Sequence, residues 1–386
     1  MYRPASRTRD IEPFHVMELL TRAKALEAAG RDIIHMEVGE PDFPTPDPMV
    51  RAAQQAIAGG QVFYTPALGL PELREAIAAF YASRYGVSVP ASRIVVTAGA
   101  SGALTLALAC LCEPGRKWLL ADPGYPANRH FVRSLEGIPI GMPVGPAENF
   151  QPTPALVERY WDAATDGLIV ASPANPTGTM LATDELAALH ACASRHGGHF
   201  LVDEIYHGLT YEGEAPTALV TGDDTWVVQS FSKYFQMTGW RLGWLVVPET
   251  YVRDVEKLAQ NLFISPPTPA QYAALAAFQP ETIAILEARR AEFRRRRDFL
   301  APALEGLGFR VTARPQGAFY LYCDSSALAP DSFQLAGRML EEAGVAATPG
   351  LDFGHHAPRS HIRFAYTTGI ARLEEATLRL RRLLWR

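Results

Sequence analysis

Between residues 90 and 250, short apolar runs rich in β-branched residues alternate with longer stretches of helical periodicity, a rhythm that few folds accommodate. The runs are IVVTA (94–98), WLLA (118–121), LIVA (168–171), HFLV (199–202), WVVQS (226–230) and GWLVV (243–247). They are apolar at consecutive positions, which marks strands buried on both faces. Between them, residues 183–196 repeat Leu186, Leu189 and Ala193 at helical spacing. Upstream, 71–85 reads as a further helix, with Pro71 in its first turn, apolar Leu73, Ile77 and Phe80, and Gly86 as its stop. The pattern predicts an α/β fold with a largely parallel sheet covered by helices on both faces.

Beyond residue 280 the texture changes. A charged helix over 281–304 leads to strands at 309–311 and 319–323, a helix near 333–343, a strand at 361–366 and a last helix from Leu373. That ordering predicts a second, smaller α+β domain. The helix over 15–29 has no sheet of its own and is expected to pack on that domain. We therefore divide the chain into an N-terminal arm and helix (1–45), a large domain (46–285) and a small domain (286–386).

Composition removes several classes of function. The 386 residues are 48% hydrophobic and 20% charged, so a packed core is expected rather than disorder. No apolar run reaches the ~18 residues of a membrane helix, and MYRPASRTRDIEPF lacks the apolar stretch of a secretory signal. With 36 Lys and Arg against 41 Asp and Glu, the net charge of −5 argues against nucleic acid or an anionic membrane as partner. The arginines around 289–297 alternate with apolar and acidic residues and read as a solvated helix face. The four cysteines form no disulfide framework, and no Cys/His array has zinc-like spacing, so no metal is expected. His355-His356 reads as loop. A cytoplasmic enzyme fits this profile.

Five polar clusters follow candidate strands: Gly99-Ala-Ser-Gly102, Asp122-Pro-Gly-Tyr125, Ser172-Pro-Ala-Asn-Pro-Thr-Gly178, Asp203-Glu-Ile-Tyr206 and Ser230-Phe-Ser-Lys233. The C-terminal ends of parallel strands are where open sheets bind ligands. Gly99 to Gly102 places small residues and a hydroxyl at a helix start, where free amides favour an anion such as phosphate, although such residues also serve tight packing alone. It is neither GxGxxG nor a P-loop. Asp203 at a strand rim needs a cation or a protonated nitrogen, and a helix cap or a salt bridge would serve it equally. Lys233 beside a phosphate cup and a carboxylate is placed to form a Schiff base, and Arg241 to grip phosphate in bidentate fashion. Together these groups specify pyridoxal 5′-phosphate.

SFSKYFQMTGWRLGW (230–244), SPANPTG (172–178), DEIYHGLTY (203–211) and YTPALGLPELREAIA (64–78) resemble the class I/II aminotransferases of pyridoxal-phosphate (PLP) fold type I, from about residue 10 to the C-terminus. The resemblance implies a mostly parallel seven-stranded sheet sandwiched by helices, plus a smaller α+β domain. It implies that Lys233 carries the cofactor as a Schiff base and shuttles the proton between the substrate Cα and the cofactor. Asp203 would hold the ring nitrogen protonated, Asn175 and Tyr206 would bond the ring phenolate oxygen, and Tyr125 would stack on the ring. Ala100, Ser101, Ser230 and Arg241 would cradle the phosphate, with Tyr64 lent to the neighbouring subunit's phosphate in a homodimer. Arg363 would grip the substrate carboxylate, in a pocket lined by Gly39 and Asn175. The implied reaction moves the amino group of an L-amino acid to a 2-oxo acid, 2-oxoglutarate or pyruvate, with ping-pong kinetics.

An aspartate-using bacterial branch often carries Lys where this chain has Ser101, so acidic specificity by that route is not expected. Phe14, Phe263 and Ile264 would suit a neutral or aromatic side chain. The main alternative is a carbon–sulfur β-lyase of the same fold. A transcription regulator would need an N-terminal DNA-binding module, for which about ten residues leave no room, and a dinucleotide oxidoreductase lacks its fingerprint.

Overall fold

The computed structural model describes residues 3–385. Its centre is a seven-stranded sheet in the order Ile94–Thr97, Gly243–Val246, Trp226–Ser230, His199–Asp203, Thr165–Ala171, Lys117–Asp122, Ile138–Pro143. All neighbours are parallel except Gly243–Val246, which runs antiparallel to both of its partners. All six strands expected from the apolar runs are present. The seventh, Ile138–Pro143, was not anticipated: its sequence IPIGMP carries two prolines and a glycine. It is an edge strand, where a missing backbone donor is tolerated and burial is incomplete, so neither propensity nor an apolar run announces it.

Alternate residues of each strand enter different cores. Val95, Leu120, Ile169, Leu201, Val228 and Leu245 pack with the helices Gly99–Leu111 and Val252–Leu262. Ile94, Val96, Leu119, Leu168, Val170, Val202 and Val246 face the opposite way, toward helices Pro71–Tyr85, Thr183–Arg195 and Thr268–Leu275. Each fully buried Val, Leu or Ile contributes about 1.5–3 kcal/mol, so both faces resist a shift in register. The helix Pro71–Tyr85 starts on Pro71 and stops at Gly86, which takes the left-handed conformation (φ 67°).

The long helix Pro280–Glu305 leads to a four-stranded antiparallel sheet, ordered Thr348–Pro349, His361–Ala365, Tyr320–Asp324, Arg310–Val311. Helices Ser332–Ala343 and Ile370–Leu384 flank it. A short parallel pair, Ile34–His35 with Val345–Ala346, ties the N-terminal segment to this part of the chain. Helix His15–Ala28 buries Ala23 and Leu26 against Ile33, Leu340 and Ala346.

The arginine tract departs from expectation. Arg296 and Arg297 are 4% and 1% exposed, not solvated. Arg297 forms bonds of 2.7 and 3.0 Å with Glu212 and donates to the Pro315 carbonyl, while Arg296 pairs with Asp42 at 2.7 Å and with Glu292. Four consecutive arginines cover more than a full helical turn, so some must face inward, where partners from other segments satisfy them. Among the described residues, no helix is long and apolar enough to cross a membrane.

Candidate active site

Five chain segments leave or enter the large sheet along one edge, after Thr97, Asp122, Ala171, Asp203 and Ser230. The antiparallel strand begins at that same edge, so Arg241, two residues before Gly243, returns to it. Topology alone thus gathers all five polar clusters.

Asp203 ends the central strand and is 3% exposed. It accepts a 3.2 Å hydrogen bond from the Ile205 amide, and burial pushes its carboxyl up to about 6. A carboxyl in that state is stabilised by a cationic partner. Lys233 lies across the cleft with its Nζ donating to the Gly39 carbonyl at 2.6 Å. Burial lowers its ammonium to about 8; Arg363 and Arg241 act in the same direction, against the Glu40 and Asp203 carboxylates. A substantial free-amine fraction near neutral pH is what a Schiff-base lysine requires.

The anion cradle is built from two turns. Helix Gly99–Leu111 begins at Gly99 in a left-handed conformation (φ 73°), and a Cβ there would lie 2.6 Å from Arg241 Nη2. The guanidinium therefore rests against the open amides of the helix start, beside Ala100 and Ser101. Arg241 is itself left-handed (φ 56°) and donates to the Thr238 carbonyl at 2.9 Å and to Ser232 Oγ at 3.4 Å. Ser230 Oγ accepts from the Ser232 amide at 3.0 Å. Two hydroxyls, one guanidinium and a helix N-terminus make a site for a dianion. Ser232 was not singled out from the sequence, although its place between Ser230 and Lys233 was the available signal.

On the other wall, Arg363 lies in strand His361–Ala365 and is 4% exposed. Its Nη1 donates to Asn175 Oδ1 at 2.8 Å and its Nη2 to the Glu37 carbonyl at 2.5 Å. Among the described residues its Nε has no partner, although it is buried. A buried guanidinium with a spare donor is a receptor for a carboxylate. Tyr320, also missed in the sequence, lies 4.3 Å beneath the guanidinium and shares a 2.8 Å hydroxyl contact with Tyr206. A Cβ on Gly39 would meet Tyr320 Oη at 2.0 Å, so only glycine fits there. Burial raises the Tyr206 hydroxyl far above its usual range, so it stays protonated and can donate.

Tyr125 sits at the start of helix Pro126–Ser134, with Phe14 stacked on it at 6.4 Å between ring centroids. Phe263 and Ile264 are 36% and 53% exposed, and Phe63 and Tyr64 are each 80% exposed. Elsewhere, Glu158, Cys192 and His196 converge with ligand atoms within 4.8 Å of one another. The spacing rules overlooked this trio because its members come from two helices, and Arg195 already neutralises Glu158 at 2.5 Å.

The family profile "Aminotransferase class I and II" matches residues 31–380. The chain belongs to the class I and II aminotransferases. It is 38% identical to a valine–pyruvate aminotransferase of Mycobacterium tuberculosis over 96% of each chain, and 36% identical to an aspartate/prephenate aminotransferase of Thermus thermophilus over 98% of each. A crystal structure of an aminotransferase from Mycobacterium tuberculosis superposes with a TM-score of 0.96 at 38% identity, covering 100% of this chain and 99% of that one. This aminotransferase is a PLP-dependent transaminase of fold type I, acting on an amino acid and a 2-oxo acid. Its cleft fits the cofactor: a cradle at Gly99 and Arg241 for the phosphate, an enclosed amine at Lys233, and a buried carboxyl at Asp203 in need of a cation.

Proposed function

We propose that this aminotransferase takes its amino group from a neutral, apolar L-amino acid and passes it to pyruvate or 2-oxoglutarate, both half-reactions using one set of residues in turn. The observation that carries this reading is the convergence of Lys233, Asp203 and Arg363 on one cleft whose far wall is the Phe14–Tyr125 pair. Ser101 offers no charge to a second carboxylate.

Bound PLP supplies an electron-withdrawing ring for the charge left at the donor's Cα. Lys233 would hold the cofactor through its amine and would serve as the base that moves the proton at the donor's Cα. Asp203 would pair with the protonated ring nitrogen, and Asn175 and Tyr206 would donate to the ring oxygen. Ala100, Ser101, Ser230, Ser232 and Arg241 would hold the phosphate, and Tyr125 would cover the ring. Arg363 would orient the donor carboxylate, with Gly39 leaving room; holding that group would fix how the donor's Cα is presented to Lys233. The working unit is a homodimer in which the exposed Tyr64 reaches the neighbouring phosphate, a reading supported by the apolar ridge of Val62, Phe63 and Tyr64.

Mixing the PLP-loaded protein with single L-amino acids and no acceptor tests this directly. Valine or alanine should abolish the visible cofactor band, and an added 2-oxo acid should restore it; aspartate should act at least tenfold more slowly. Ser101→Lys should narrow that gap by about tenfold, the scale of one charge-assisted contact. Pyruvate accumulating from cysteine while the band persists would instead establish the β-lyase.

A further inference from the structure

Asp122 ends its strand at the cleft edge, yet none of the roles above uses it. It is 8% exposed, and its carboxylate is satisfied by the backbone of the C-terminal part of the chain: the His355 amide donates at 3.1 and 3.0 Å to its two oxygens, and the His356 amide at 3.1 Å to Oδ1. Consecutive amides converging on one carboxylate form an anion-binding concavity. The side chains of His355 and His356 point to solvent, so the contact reads backbone alone. Gly354 completes the fit, since a Cβ there would lie 1.8 Å from Asp122 Oδ1.

The two loops joined this way carry groups of the site. On the large-sheet side, Tyr125 follows three residues after Asp122, and the Gly124 amide donates to the Phe353 carbonyl at 2.8 Å. On the other side, the Phe353 ring lies 4.8 Å beneath the Arg363 guanidinium. Asp352 accepts the amides of His15 and Val16 at 2.8 Å each, which sets Phe14 over Tyr125. We propose that Asp122 is a positioning residue: its carboxylate latches loop 352–356 to loop 122–125 and so holds Arg363, Phe14 and Tyr125 in mutual register around the donor amino acid. The catalytic part of this statement rests on the function proposed above; the latch itself does not.

Hydrogen exchange of the cofactor-loaded protein, read at the His355 and His356 amides, tests the latch without reference to turnover. Asp122→Ala should speed exchange there at least tenfold and leave the amides of Lys117–Asp122 unchanged. Asp122→Asn, which keeps one acceptor oxygen, should fall between, and serves if the alanine variant does not fold. In single-turnover donor reactions the alanine variant should raise the apparent donor KM about tenfold with a limiting rate within twofold of the parent. Gly354→Ala, which displaces the carboxylate from the opposite loop, should reproduce the shift, and the double variant should be no worse than either single one. Unchanged exchange at both amides, additive losses, or a fall in limiting rate at constant KM would each overturn the proposal. A protein that binds no cofactor would defeat the functional reading, while the exchange measurement would still decide the latch.

Discussion

Asp203 shows what a single buried carboxyl does to the whole chain. Its position at the rim of the central strand raises it from 3.8 to about 6 before any cofactor is added. The protonated form is thus favoured in the fold, so its contribution to stability is complete below about pH 4 and is lost as pH rises through 6. At about 1.4 kcal/mol per unit, the loss is about 3 kcal/mol. Urea unfolding of cofactor-stripped protein between pH 4 and 7 should show this slope, Asp203→Asn should lack it, and added PLP should cancel it by supplying the missing cation. The sequence made this residue legible because a carboxylate after four strand residues is an anomaly. Tyr320 was not legible: a tyrosine in an apolar strand reads as core, and only its hydroxyl contact with Tyr206 and its place beneath Arg363 show otherwise.

At the scale of elements, the turn from strand Ile94–Thr97 into helix Gly99–Leu111 carries the cradle. Gly99→Ala places a side chain in a left-handed position, costing about 1–2 kcal/mol, and also drives a methyl group into Arg241. Gly60→Ala, at a similar φ of 74° with nothing within 4 Å, carries the backbone cost alone. Because the Arg241 guanidinium ends a flexible side chain and can swing aside, chemical denaturation should score the two alike to within about 1 kcal/mol. Cofactor titration should separate them, with affinity falling tenfold or more only for Gly99→Ala. Elements whose burial is complete were readable in this way from their apolar runs and stop signals. The exceptions are the edge strand Ile138–Pro143, whose prolines disguise it, and the arginine tract, whose inward members are satisfied by Glu212 and Asp42 from far along the chain. Pairings of that length leave no local trace.

For the whole molecule, Val62, Phe63 and Tyr64 and, elsewhere in the sequence, Leu262, Phe263 and Ile264 are exposed, and the Thr268 hydroxyl ties the first segment to the chain just after the second by donating to the Phe63 carbonyl at 2.7 Å. Six apolar side chains this exposed point to a partner surface. Phe63→Asp should yield monomers by light scattering, with cofactor retention reduced at least tenfold and the far-ultraviolet circular dichroism unchanged. The two walls of the cleft also differ mechanically. The segment carrying Lys233 and Arg241 is closed at both feet: Ser230 pairs with Gly243 between adjacent strands, and the Phe231 amide reaches the Leu242 carbonyl at 3.1 Å. It is thus anchored to neighbouring strands on both sides of the turn. On the opposite side, the N-terminal arm that carries Phe14 is attached by ion pairs of Arg7, Asp10 and Glu12 with Glu136, Arg133 and Arg129. The proposed site would then work like a vice with one fixed jaw: the clamped segment of Lys233 and Arg241 is the bench side, and adjustment to the size of the incoming amino acid would fall to the side that carries Phe14.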